Sequence, residues 1–232
     1  MVKVEPSLRE SQSATDTINR ILDAAEELFA DHGIAGTSVR DITQMAKVNV
    51  AAVNYHFETK DKLVHRVLER RAGDLEHERT KALDRIEERL ASEGREPTVH
   101  ELVDSMIGPI VDLALSETGG WHHFIRFVSR LSWEPGFENM KAPESQIRIF
   151  ERFDRLLQRA LPALSQAPST RLWRMVFMRS ATQQTLMLIT SLRAGKYPQG
   201  IPFLDAAAAT PADTIKREFT AFIAAGLSAP KP

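Results

Sequence analysis

The stretch from Ser38 to Lys60 most constrains the fold, because three helices start within it. Ser38 with Asp41 at the third position is close to a capping box: hydroxyl and acid each take a backbone N–H at a helix start. The spacing predicts a helix over Val39 to Ala46 with Val39, Ile42 and Ala46 facing inward. Lys47-Val48-Asn49 is a tight turn, and Asn49 is a good cap for a second helix, Val50 to His56. Thr59 caps a third, from Lys60. The middle helix opens on the small residues Ala51 and Ala52 and ends on Asn54, Tyr55 and His56. A core helix wants larger apolar residues and a solvated one wants Lys and Glu. The mixture describes a helix that enters something narrow and touches it.

The rest of the chain reads as helical, with no strand and no internal repeat. Ile18, Ile21, Leu22, Ala25, Leu28 and Phe29 form one apolar stripe on a helix from Asp16 to His32, stopped at Gly33. Leu63, Val67, Leu75, Leu83, Ile86 and Leu90 give a narrow seam to the long charged helix from Lys60. Further helices are expected over Val99–Glu117, Gly120–Trp133, Glu144–Leu161, Ser169–Ala194 and Ala212–Ala225. The stretch "GKYPQGIPFLDAAAATP" is read as irregular. The fold class is all-α: an N-terminal three-helix helix-turn-helix unit followed by a helical bundle. The expected organisation is a flexible polar arm over residues 1–14, a small unit over 15–58 and a larger one over 59–228.

Composition narrows the function. With no cysteine, disulfides, thiol catalysis and cysteine-ligated zinc are excluded. The formal net charge of −1 means that any binding to nucleic acid comes from a local cluster. No signal peptide and no uncharged run of spanning length is present, so a soluble, cytoplasmic protein without membrane partners is expected.

Two short helices joined by a three-residue turn are the sequence form of a helix-turn-helix. A helix entering the major groove cannot be bulky on its leading face, and alanine methyls can touch thymine methyls. Asn54 can pair both edges of adenine, while Tyr55 and His56 reach bases or phosphates. Arg40, Lys47 and Lys60 supply positive charge, and a helix start at Lys60 favours a phosphate. The acids of the first helix, Asp23, Glu26, Glu27 and Asp31, would repel phosphate and are expected to face away. The alternative for Tyr55 and His56 is packing under the helix or plain solvation; Phe57 is read as a core plug.

The run "ILDAAEELFADHGIAGTSVRDITQMAKVNVAAVNYHFETKDKLVHRVL" resembles the N-terminal domain of the TetR family of bacterial transcriptional regulators. The LF-x-x-x-G helix end, the T-S-V-R-D-I run and the YHF-x-x-K-D-K-L junction carry the resemblance. It implies a homodimer with a DNA-binding head and a ligand-binding body, and repression relieved by a small molecule. It places DNA contacts on Arg40, Val50, Ala51, Ala52, Asn54, His56 and Lys60. Lys47 stands where the family usually has glycine, so it is expected in a left-handed conformation. Asn54 stands where a groove-facing tyrosine is usual. The chain length, "AAVNYHF" and "LWRMVFM" are similar to a PsrA-like subgroup associated with fatty-acid response.

In the body, Trp121, Phe124, Phe127, Trp133, Phe153, Trp173 and Phe177, with the polar Arg126, Arg130 and Gln183, are the candidate ligand-binding residues. A pocket wants an apolar wall with a few directed polar groups. Arg126 and Arg130 share a helix face and suit a carboxylate or phosphate; the plainer reading pairs each with an acid such as Glu134 or Glu151. His122 and His123 are adjacent on a helix and point about 100° apart, which does not suit one metal. In the family the last two long helices of two subunits form a four-helix bundle. Here Ala221, Ala224 and Ala225 permit close approach and Phe219, Phe222 and Ile223 supply buried area. No cofactor, no catalytic set and no metal site is expected. The expected partners are double-stranded operator DNA, a small-molecule effector and a second copy of the chain; the rivals are an activator of the same fold and a helical interaction module that does not bind DNA.

Overall fold

A computed structural model describes residues 8–116, 119–131 and 141–230, and its described residues hold eleven helices and no strand. The first, α1 (Leu8–His32), starts ahead of the expected cap at Thr15 or Asp16. Nothing between Pro6 and Gly33 breaks a helix, and Leu, Arg, Glu and Gln all tolerate one well. Thr15 and Asp16 therefore sit inside a helix that has already begun. Gly33, at φ 75, ends it with its N–H on the Phe29 carbonyl.

Next come α2 (Val39–Ala46), α3 (Val50–Phe57) and α4 (Lys60–Glu93), within a residue of where their caps place them. Thr59 Oγ1 accepts from Lys62 N, and Gly94 closes α4 in the left-handed region. Ile21, Ala25 and Phe29 from α1 meet Ile42, Val53, Phe57, Leu63, Val64 and Val67 in one buried core. Phe57 is the plug that its sequence position suggested.

The body continues with α5 (Val99–Leu115), α6 (Trp121–Leu131), α7 (Glu144–Ala160), α8 (Pro162–Ser165), α9 (Pro168–Arg193), α10 (Pro202–Ala208) and α11 (Ala212–Ser228). The two short helices α8 and α10 are additions to the sequence reading. Each starts at a proline, as α9 does. A proline at the first helical position costs nothing, because that N–H has no intrahelical partner. The residues following Pro202 include Ala206, Ala207 and Ala208, which favour helix. The stretch read as irregular thus contains a helix.

α5 packs on α4 and α11, and α6 lies against both α1 and α9. α7 runs beside α4, tied by Arg152 to Asp84 and Glu87 at 2.6 and 2.9 Å. Phe219, Ile223 and Ala224 of α11 are buried within their own subunit. That corrects the expectation that they face a partner: only Phe222, Ala221 and Ala225 are left on the outer side.

Candidate nucleic-acid interface

The α2–turn–α3 unit is held by its own side chains. Asp41 Oδ2 accepts from Ser38 N at 2.9 Å and Ser38 Oγ accepts from Asp41 N at 3.2 Å, completing the capping box. Lys47 adopts φ 53, ψ 47 and donates its N–H toward Gln44 and Thr43 carbonyls. A β-carbon there costs roughly 1–2 kcal/mol against an ordinary helical residue, so the turn is kept at some expense. Asn49 Oδ1 then accepts from Ala52 N at 2.7 Å and starts α3.

These constraints fix which side of α3 faces out. Val53 and Phe57 are buried, while Val50, Ala51 and Asn54 are exposed and Tyr55 is 83% exposed. Tyr55 therefore does not pack under the helix. Ala52 and His56 are half-buried, and the Tyr55 and His56 rings meet edge to face at 5.0 Å. The outer face is slim at its start and polar at its end. Arg40 and Lys47 are exposed beside it.

Lys60 is placed otherwise than its charge suggested. Its ammonium donates to the Ile34 and Thr37 carbonyls at 2.7 and 3.0 Å, locking the α1–α2 connection to the start of α4. Two more nearby cations are paired locally, Lys62 with Glu58 and Arg66 with Glu69. The free positive charge beside α3 is thus more concentrated on Arg40 and Lys47 than a residue count implies. Glu58 joins α3 to α4 at φ 61, ψ −52, with the Thr59 N–H on the Phe57 carbonyl at 2.6 Å. This is a γ-turn, strained for a residue with a side chain.

The acids of α1 are directed to the body. Asp23 pairs with Arg70 at 2.8 Å. Glu26, 98% buried, accepts a two-pronged bond from Arg71 at 2.8 and 2.7 Å and another from Arg70 at 3.0 Å. The Arg71 guanidinium also lies 5.0 Å over the Trp121 ring. Asp31 binds Arg126 and Lys196. Burial works to raise the Asp31 pKa, but the bonds from Lys196 and Arg126 outweigh it and hold the carboxyl below its ordinary value.

The candidate ligand residues do not converge on one cavity. Arg126 and Arg130 reach the last carbonyls of α1, Ala30 and Asp31, at 3.3–3.4 Å, so they cap the head's first helix rather than line a pocket. Free carbonyls at a helix end attract cations, which is the physical reason. The acid of Arg126 is Asp31, while Arg130 meets only carbonyls among the described residues; Glu134 lies outside them. Phe127 packs on Phe29 of the head at 5.5 Å between centroids. Trp121, Phe124 and Phe153 are buried core. Gln183 donates to the Ser129 carbonyl at 3.5 Å, joining α9 to α6. Trp133 lies outside the described residues. Trp173 and Phe177 are exposed on the outer side of α9, alongside Leu172, Val176 and Leu188.

Two cavities are present that residue types alone did not mark. One of about 450 Å³ lies between α1, α4 and the start of α6, walled by Glu26, Glu27, Asp74, Arg71, His122 and His123. The other, about 410 Å³, lies between α7 and α9, with Ile147, Phe150 and Met175 on its wall and the Asp154–Arg171 pair at 3.0 Å. The His122 and His123 rings lie 4.0 Å apart. Burial first, then the charges of His122 and Arg126, pushes the His123 pKa down to about 4. Among the described residues no set of three His, Asp or Glu is grouped for a metal, and no helix is long and apolar enough to cross a membrane.

Comparison with known proteins agrees with this geometry. Residues 21–67 match the family described as bacterial regulatory proteins, tetR family, and residues 104–226 match the tetracyclin repressor-like C-terminal domain. An HTH-type transcriptional repressor of Mycobacterium tuberculosis H37Rv, Rv3405c, is 55% identical over 49 residues, 21% of this chain and 26% of that protein. The transcriptional regulator TtgR of Pseudomonas putida is 36% identical over 61 residues, 26% of this chain and 29% of its own. The match thus spans about a quarter of the length of these relatives. Among solved structures, the probable transcriptional regulatory protein RHA5900 superposes with a TM-score of 0.58 at 17% identity, covering 92% of this chain and all of that one. A regulator from Aquifex aeolicus VF5 gives 0.53 at 20% identity, covering 89% and 99%. Those two share the fold. With a family match over more than half of its length, at residues 104–226, and a second over the helix-turn-helix, the chain belongs to the TetR family of bacterial transcriptional regulators.

Proposed function

We propose that the protein is a repressor that binds a palindromic operator as a homodimer and is released by a small effector of acyl or fatty-acid type. The head, through residue 58, carries the DNA contacts, and residues 59–228 carry the effector and dimer surfaces, in a cytoplasmic protein. One observation carries this reading: the outward face of α3, with Val50, Ala51, Asn54 and Tyr55 in solvent and Val53 and Phe57 anchoring it. Ala51 and Ala52 admit the backbone to the groove; Asn54, Tyr55 and His56 read bases or reach the backbone. Arg40 and Lys47 meet phosphates, and Lys60 ties the start of α4 to the α1–α2 connection from within.

The partner copy docks on α9 and α11. Trp173 and Phe177 lie 58% and 62% exposed and Phe222 70% exposed, and such a stripe on a surface calls for a covering partner. Two-fold pairing presents two copies of α3 to successive major grooves about 34–36 Å apart. The effector acts through α4, which is continuous from head to body, and through α6, which grips the end of α1 by Arg126, Arg130 and Phe127. An effector that prefers the arrangement in which α4 and α6 are shifted lowers operator affinity by that preference.

The test is fluorescence anisotropy on two-fold symmetric fragments of the neighbouring promoter against scrambled duplex, with candidate acyl effectors titrated in. Specific binding that an effector reverses supports the reading. An effector that binds the body and leaves DNA affinity unchanged counts against it.

A further inference from the structure

We propose that Glu58 limits the affinity of the head for DNA: its carboxylate engages Lys62 and withholds that ammonium from the phosphate backbone. The inference rests on the DNA-binding reading of the head and adds to it a residue that acts against binding. Among the described residues, two that are not glycine hold a positive φ, Lys47 and Glu58, and they stand at the two ends of α3. Glu58, at φ 61 and ψ −52, occupies a joint that glycine would fill with less strain. A strained residue beside a working surface points to a use for its side chain. The bond it makes is no such use by itself. Glu58 Oε2 accepts from Lys62 Nζ at 2.5 Å, but the two side chains are 69% and 56% exposed, and exposed pairs add little to stability.

The place of the pair supplies the use. The Glu58 N–H bonds the Asn54 carbonyl at 3.1 Å, so Glu58 lies one turn beyond Asn54, at the end of α3 that carries Asn54, Tyr55 and His56. Lys62 lies in the first turn of α4, and the N-terminal end of a helix favours a phosphate. The other lysine of that turn, Lys60, is directed inward onto the Ile34 and Thr37 carbonyls. Asp61, exposed between them, adds a negative charge. With Lys60 turned in and Lys62 held by Glu58, the start of α4 offers DNA no free ammonium. Lysine carries a compact charge on a flexible stem, so loss of the carboxylate frees it to reach a phosphate without a change of fold. Binding is therefore weaker, and less dependent on salt, than the cations of the head allow.

The test is fluorescence anisotropy with the full-length protein on a symmetric promoter fragment and on its scrambled counterpart, from about 50 to about 400 mM potassium chloride. E58Q should bind both duplexes at least about fivefold tighter at the low end, with a log–log salt slope steeper by about one per subunit. K62M should stay within about twofold of wild type, and E58Q combined with K62M should show none of the gain. E58G, which also removes the strain, should bind DNA like E58Q while its urea midpoint rises and that of E58Q does not. No gain in E58Q, a gain that survives in the double variant, or a gain confined to E58G would overturn the assignment. So would K62M binding more weakly with a shallower slope, because Lys62 would then already sit on a phosphate. Wild type that binds both duplexes equally sinks the operator reading alone, since the E58Q gain is expected on either. Wild type that selects the symmetric duplex while E58Q merely matches it sinks the role of Glu58 alone, and no binding to any duplex sinks both.

Discussion

The short helix α3 and the long helix α9 both hold aromatic side chains out in solvent, in opposite company. On α3, Tyr55 stands among Asn54, His56 and two alanines, with Arg40 and Lys47 beside them. The large exposed groups at its end, Asn54 and Tyr55, can each form a directed bond. On α9, Leu172, Trp173, Val176 and Phe177 make a continuous apolar stripe that water cannot satisfy. The first face suits a polar, charged partner that must be recognised and released. The second suits a partner of its own kind, held throughout. Exposure alone therefore does not say what binds; the company of the exposed ring does.

The sharpest way to break this contrast is to charge the α9 stripe. W173E with F177E should leave monomers in sedimentation velocity and lower operator affinity on the order of 100-fold, because the two half-sites no longer bind together. An unchanged dimer would move the interface elsewhere. On the other face, N54A should cost about 1–3 kcal/mol of operator affinity through the lost base contact, with sedimentation and melting unchanged. If N54A and the α9 variant gave the same pattern, the division of labour would be wrong.

Smaller effects test the frame that presents α3. S38A should lower stability by about 1 kcal/mol by removing the α2 cap, measured by urea unfolding. K47G relieves the left-handed lysine and should raise stability by about 0.5 kcal/mol, the strain relieved less the extra freedom of unfolded glycine. It should also weaken DNA binding and reduce its salt dependence by about one phosphate contact per subunit.

The junction of α6 with α1 adds a pH test. The folded His123 pKa lies at about 4 against an ordinary 6.5. From about pH 6.5 down to 4 the unfolded chain takes up a proton that the folded chain refuses, so this group lowers stability as pH falls through that window. H123N should flatten that part of the stability–pH curve, read by chemical denaturation at several pH values. An identical curve would place the acid sensitivity in other groups.

How much of this was legible in the sequence depends on distance along the chain. The caps of α2 and α3 were readable because each is decided within a few residues, and the left-handed Lys47 was expected from the glycine usual there in the family it resembles. The junction was not. Arg126 reaches Asp31 across 95 positions and Arg71 reaches Glu26 across 45, and no local pattern encodes such pairs. Arg126 and Arg130 looked like anion binders for a ligand; in the structure Arg126 pairs with the Asp31 carboxylate and both donate to carbonyls at the end of α1. In α11 the apolar residues occupy two faces, and sequence does not say which turns inward. Packing against α5 takes Phe219 and Ile223 and leaves Phe222 outside. Pro202 lies in a stretch read as irregular, yet it opens a helix.

The central claim is that two copies of α3, paired through α9 and α11, read one symmetric duplex. Its most direct test combines sedimentation equilibrium with an anisotropy titration at moderate salt, using a two-fold symmetric promoter fragment and a scrambled fragment of the same composition. The account predicts one dimer per symmetric duplex and at least about 10³-fold weaker binding to the scrambled one. A monomer in solution and on DNA, or equal affinity for both fragments, would contradict it.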